Sequence, residues 1–182
     1  MAKIGVVVGS IRKNSFSGQL ARNIAELLPA DCEAVFVEIA NLPLYNQDYD
    51  ENSPEVYTKF RETVKGLDGV IFVTPEHNRS FPAALKNALD IGSRPYGANV
   101  WNGKPALIVS QSPGSLGGFG ANHHLRQVLA FLNMPVVQQP EVYAGNVHEL
   151  LGDSGKITNQ GTIDLLRSAV DTLLSLIKKH QA

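Results

Sequence analysis

The sequence predicts a single α/β domain, a doubly wound sandwich in which a five-stranded parallel sheet carries helices on both faces. Two features carry that expectation. Five short apolar runs alternate with segments of helical period, and most of the runs are apolar at every position rather than at every second one. A strand apolar on both sides belongs in a parallel sheet covered on both sides, because βαβ crossovers place helices there. Right-handed crossovers then close the sandwich.

The elements follow in order. Ile4–Val8 is the first strand and breaks at Gly9-Ser10. From Ser17, apolar or small residues recur at Leu20, Ala21, Ile24, Ala25, Leu27 and Leu28, the spacing of one buried helix face. Ala34–Ile39 is the second strand, followed by a loop at 41–54 rich in Asn, Pro, Tyr and Asp. Glu55–Gly66 reads as a helix through Val56, Phe60 and Val64, and Gly69–Val73 as the third strand. Ser80–Ile91 is a helix with Pro82 near its first turn, where a missing N–H is tolerated. Ala106–Val109 is the fourth strand, and the glycine-rich stretch 112–120 leads into a helix at Asn122–Leu132. Val136–Val142 is the fifth strand, 145–160 a polar surface excursion, and Gly161–Lys179 a long amphipathic helix. No repeat, low-complexity tract or linker interrupts this order, so residues 1–182 form one domain.

Composition narrows the function classes. A chain of 182 residues buries roughly 70% of the surface its unfolded form exposes. The net charge of −1 excludes a general nucleic-acid binder or an acidic-membrane binder, either of which needs a basic excess. The same near-neutrality argues against an acidic carrier that docks on basic partners. A single cysteine, Cys32, leaves no intramolecular disulfide and fits a reducing compartment. The first apolar run is too short for a signal peptide, and no run approaches the ~20 residues of a membrane helix. A cytoplasmic protein is expected.

In an open parallel sheet, ligands bind outside the carboxyl ends of the strands. Three polar loops fall there: Ser10–Ser17, Thr74–Ser80 and Gln111–Gly120. The first joins a strand to a helix start, which points backbone N–H groups and a positive dipole end at one place. It lacks the glycines of a dinucleotide fingerprint and is not a P-loop. Instead it offers the hydroxyls of Ser10, Ser15 and Ser17, the amide of Asn14 and the guanidinium of Arg12, a donor set suited to a terminal monophosphate. The competing reading makes Ser15 and Ser17 helix caps and Arg12 a solvated charge. In the second loop, Glu76 and His77 stand side by side, but one pair without a second cluster makes a poor metal site, and no metal is expected. The third loop has enough glycine to approach a flat ligand closely or to move as a lid.

GSIRKNSFS before a helix, and TPEHNRSFPAALKNALD in the middle, resemble the NADPH-dependent FMN reductase family, flavodoxin-like proteins that include bacterial quinone and chromate reductases. Gly9, Ser10, Arg12, Ser15, Leu20 and Ala21 match the first family motif. Pro75, Glu76, Asn78, Ser80, Pro82, Leu85, Lys86, Asn87 and Asp90 match the second, and the similarity runs almost the full length. Two positions depart: His77 stands at a usual tyrosine and Ile91 at a usual tryptophan.

The resemblance implies the strand order 2-1-3-4-5, FMN as cofactor and NAD(P)H as co-substrate. Ser10, Arg12, Ser15 and Ser17, with the backbone N–H groups of Asn14 and Phe16, would hold the FMN phosphate. Pro75, Glu76, His77 and Asn78 would follow the edge of the flavin ring, and Ser112, Pro113, Gly114 and Ser115 would approach its pyrimidine side. Hydride would pass from NAD(P)H to flavin N5 and on to a quinone or similar acceptor, with chromate or other oxidised metal ions as side acceptors. No side chain would act as a covalent catalyst. An electron carrier without NAD(P)H turnover is the alternative. A homodimer or homotetramer is implied, with Arg79, Tyr96, Trp101, His123 and Glu141 as candidates to meet a neighbour.

Overall fold

Strands Ala2–Val8 (β1), Cys32–Val37 (β2), Gly69–Pro75 (β3), Ala106–Gln111 (β4) and Val142–Ala144 (β5) pair in parallel in the order β2-β1-β3-β4-β5. This is seen in a computed structural model that describes residues 1–181. The helices are Phe16–Ala25 (α1), Glu55–Lys65 (α2), Ala83–Ser93 (α3), Phe119–Phe131 (α4), Val147–Leu151 (α5) and Gln160–Gln181 (α6).

The continuous apolar runs are explained by two separate cores. Val7, Val70, Phe72 and Ile108 point to one face, where they meet Phe60 and Val64 of α2, Leu85 and Leu89 of α3, and Leu125 and Leu129 of α4. Their alternating neighbours Ile4, Val6, Ile71, Val73, Leu107 and Val109 point to the other, against Leu20 and Ile24 of α1 and Leu166, Val170 and Leu173 of α6. Each central strand therefore has no solvated side on which a polar residue would be favoured.

Three expectations are corrected. The fifth strand does not run over Val136–Val142. Val136 makes only an isolated bridge to Ala106, and the ladder with β4 resumes at Val142. Between them Pro140 has no N–H to donate, so Gln138 to Glu141 leave the sheet. The stretch 145–160 is not wholly a surface excursion, because Val147 and Leu151 of α5 are fully buried in the second core. Trp101 does not reach outward. It is completely buried, its Nε1–H donates to the carbonyl of Leu89 at 3.1 Å, and its ring meets Phe60 and Phe72 edge-on or tilted. An aromatic in a helix-to-strand connection looks exposed by sequence position, but here the connection folds back under α3.

Ile91, at the family's usual tryptophan, is also buried in the first core and acts as a packing residue. Asn87 works differently. Its Oδ1 accepts from the N–H of Tyr45 at 2.7 Å and its Nδ2 donates to the carbonyls of Leu42 and Pro43, pinning the 41–54 loop to α3.

Replacing Trp101 with alanine empties a site packed on all sides. The expected cost is about 3–5 kcal/mol of unfolding free energy, measured by urea titration. A loss below about 1 kcal/mol would be incompatible with this placement.

Candidate functional site

The three polar loops meet at the carboxyl ends of β1, β3 and β4, as parallel register requires. Val8 is level with Val73, and Pro75 is level with Gln111. Between the loops lies a cleft of about 500 Å³, lined by Ser10, Arg12, Ser15, Phe16, Pro75, Glu76, His77 and Pro113 among the expected residues. Gly9, Ile11, Pro82, Ala83, Ala84 and Gln111 complete its wall.

The first loop is a tight turn. Ser15 N–H donates to the carbonyl of Arg12 at 3.3 Å, and Asn14 takes a left-handed φ of 54°, which asparagine tolerates better than most residues. Ser15 is the N-cap of α1, its Oγ accepting from the N–H of Gly18 at 3.1 Å. The capping and cleft-lining readings of Ser15 are thus compatible: the hydroxyl caps with a lone pair and keeps its own proton to donate. The Arg12 guanidinium stands 5.8 Å from the centre of the Phe16 ring, a cation–π distance that holds it over the start of α1.

Ser17 is placed elsewhere. It is fully buried, and its Oγ accepts from Nε2 of Gln111 at 2.8 Å, so it ties α1 to β4 beneath the loop and is not on the cleft wall. Asn14 also lies off the wall, where its carbonyl accepts from Gln19 Nε2.

In the second loop, His77 and Ser80 close a tight hairpin turn through His77 N–H to Ser80 O at 2.7 Å and the reverse bond at 2.9 Å. His77 reaches the cleft, while Asn78 sits at the tip of the turn, outside the lining. In the third loop Pro113 lines the cleft, whereas Ser112, Gly114 and Ser115 do not. That loop is not built as a free lid. Gly117 has a φ of 59°, and a Cβ there would lie 2.6 Å from the backbone of Tyr143, so its glycine serves close backbone packing on β5. The N–H of Ser112 donates to Ala144 O and the N–H of Asn146 to Gly114 O, fastening the loop further.

Gln111 was not among the sequence candidates. It is 4% exposed, and its Oε1 has no hydrogen-bond partner among the described residues. Its signal was weak but present: Ser110-Gln111 ends an otherwise apolar strand at the edge where ligands bind. Pro82 belongs to the second family motif, but Ile11, Ala83 and Ala84 carried no signal, since small and apolar residues are ordinary anywhere.

One end of this cleft thus offers hydroxyls, helix-start N–H groups and a guanidinium, and the rest is an apolar slot with a buried, unpartnered acceptor in its wall. That combination fits a phosphate-bearing planar cofactor. Fold and cleft together define a flavodoxin-like protein of the mononucleotide-binding kind. The chain belongs to the NADPH-dependent FMN reductase family, whose profile matches residues 2–149. It is 51% identical over 180 residues to a quinone reductase of Pseudomonas putida, covering 98% of this chain and 96% of that protein. It is 44% identical to a 2-hydroxy-1,4-benzoquinone reductase of a Burkholderia species, covering 98% of each. Among solved structures it superposes on FerB, a flavoenzyme NAD(P)H:(acceptor) oxidoreductase from Paracoccus denitrificans, with a TM-score of 0.92, 34% identity and 99% of both chains covered. The protein is an oxidoreductase that uses FMN with NAD(P)H as co-substrate.

Ser15→Ala removes the cap of α1. In cofactor-free protein it should cost about 1 kcal/mol, read as a lowered urea midpoint with unchanged slope. No change at all would mean that Gly18 finds another acceptor.

Proposed function

We propose that this protein reduces quinones by two electrons at the expense of NAD(P)H, with FMN held in the cleft between the three loops. The observation that carries the reading is the convergence on one cleft of about 500 Å³ of a cationic, hydroxyl-rich helix start and an apolar wall. FMN supplies the hydride acceptor and donor when bound. Arg12, Ser10 and Ser15 would hold its phosphate, with backbone N–H groups at the start of α1 adding donors and a favourable dipole. Pro75, Glu76, His77 and Pro113, which line the cleft, would contact the ring. Ile11, Pro82, Ala83 and Ala84 give the slot its apolar wall. The relatives named as quinone reductases support a quinone as acceptor.

Assembly as a homodimer or homotetramer belongs to the same reading. It is supported by Tyr96 and Phe131, which are 94% and 90% exposed, large aromatics for which a solvent position is unfavourable. A cytoplasmic location is supported by the single cysteine.

The purified protein should be yellow and should oxidise NADPH when 1,4-benzoquinone is added. A protein that takes up no FMN would overturn the assignment. A yellow protein without pyridine-nucleotide oxidation would leave an electron carrier. Arg12→Ala should raise the dissociation constant for FMN about tenfold or more, the weight of one charge-assisted hydrogen bond, as followed by quenching of FMN fluorescence. Unchanged affinity would remove Arg12 from the phosphate site.

A further inference from the structure

Helix α4 begins without a cap of its own. Its N-cap is Gly118, in a left-handed conformation with a φ of 77°, and it has no side chain to satisfy the first N–H groups. The missing acceptor arrives from 45 residues away: Oε2 of Glu76 accepts from the N–H of Ala121 at 3.2 Å. A carboxylate there also meets the positive end of the helix dipole. Gly120 makes the approach possible, because a Cβ at that position would lie 2.8 Å from the carbonyl oxygen of Arg79 and 3.0 Å from Glu76 Oε2.

The other carboxylate oxygen of Glu76 works on its own loop. Oε1 pairs with the Arg79 guanidinium at 3.3 Å. Arg79 and Asn78 both hold left-handed φ values, 67° and 50°, the backbone of a type I′ turn that arginine does not adopt cheaply. The Glu76 side chain is 15% exposed, and the residue lines the cleft. A second tie lies beside it, where His124 Nδ1 of α4 and Ser80 Oγ stand 2.9 Å apart. One side chain therefore braces a strained turn, which its own backbone bonds close, and fastens it to the helix that the glycine-rich loop enters.

We propose that Glu76 is a positioning residue. By capping α4 from the β3–α3 connection, it sets the gap between the two loops that face each other across the cleft, at 75–78 and 112–115, and so keeps the slot at the width a flavin ring needs. This rests on the FMN reading above, since it is that ring whose edges the two loops take.

Amide hydrogen exchange and FMN titration on two variants test it. In Glu76→Ala, exchange at 119–122 should accelerate about tenfold in protein with and without FMN, as an uncapped first turn frays, and FMN should bind about tenfold more weakly. Glu76→Gln keeps an oxygen acceptor of the same reach and should restore both quantities to within about threefold of wild type. Unchanged exchange at 119–122 in Glu76→Ala would overturn the proposal, as would a glutamine variant that behaves like alanine. If wild-type protein bound no FMN, the functional reading would fail, and the exchange measurements alone would still decide whether Glu76 holds α4.

Discussion

Everything at the site depends on the parallel pairing of β1, β3 and β4. Parallel strands run their carboxyl ends to one edge, and the register brings Val8 level with Val73 and Pro75 level with Gln111. The chain must leave the sheet there three times in close proximity. At such exits backbone N–H groups lose their ladder partners, and helices begin with theirs unpaired. A ligand with an anionic group at one end and hydrogen-bond acceptors along a flat ring at the other satisfies both conditions at once.

The loops at that edge are held more firmly than their composition suggests. Loop one is fixed by Ser15 as a cap and by the Ser17–Gln111 bond beneath it. Loop two is a closed turn fastened to α4 through Glu76 and Ser80. Loop three lies against β5 through Ser112 and Gly117. The side chains that build the site therefore also bind its three walls to one another, and much of what looks like ligand chemistry in the sequence is spent on preorganisation. Ser17 is the clearest case: a hydroxyl expected at the phosphate goes to a buried glutamine.

The family's middle motif divides along the same line. Pro75, Glu76 and Pro82 reach the cleft. Asn87 instead anchors a distant loop, and Lys86 pairs with Asp90 one helical turn on, at 2.8 Å. A motif this dense mixes binding with folding, and spacing alone does not separate the two. Only the direction each side chain takes from its helix does so.

From the sequence came the α/β class and the parallel sheet, which rest on local periodicity and chain direction, and eight residues that line the cleft, named partly from the donor chemistry of a short segment and partly from the family resemblance. Its local signals misjudged Trp101, which chain position makes look exposed, and extended the fifth strand through Pro140, where apolar content outweighed a missing N–H. Tertiary structure decided what depends on pairs distant in sequence. It took Ser17 out of the cleft, brought in Gln111 and the small apolar residues at 82–84, and gave α4 its cap from Glu76. No periodicity encodes such pairings, for they exist only once the sheet has set three loops side by side.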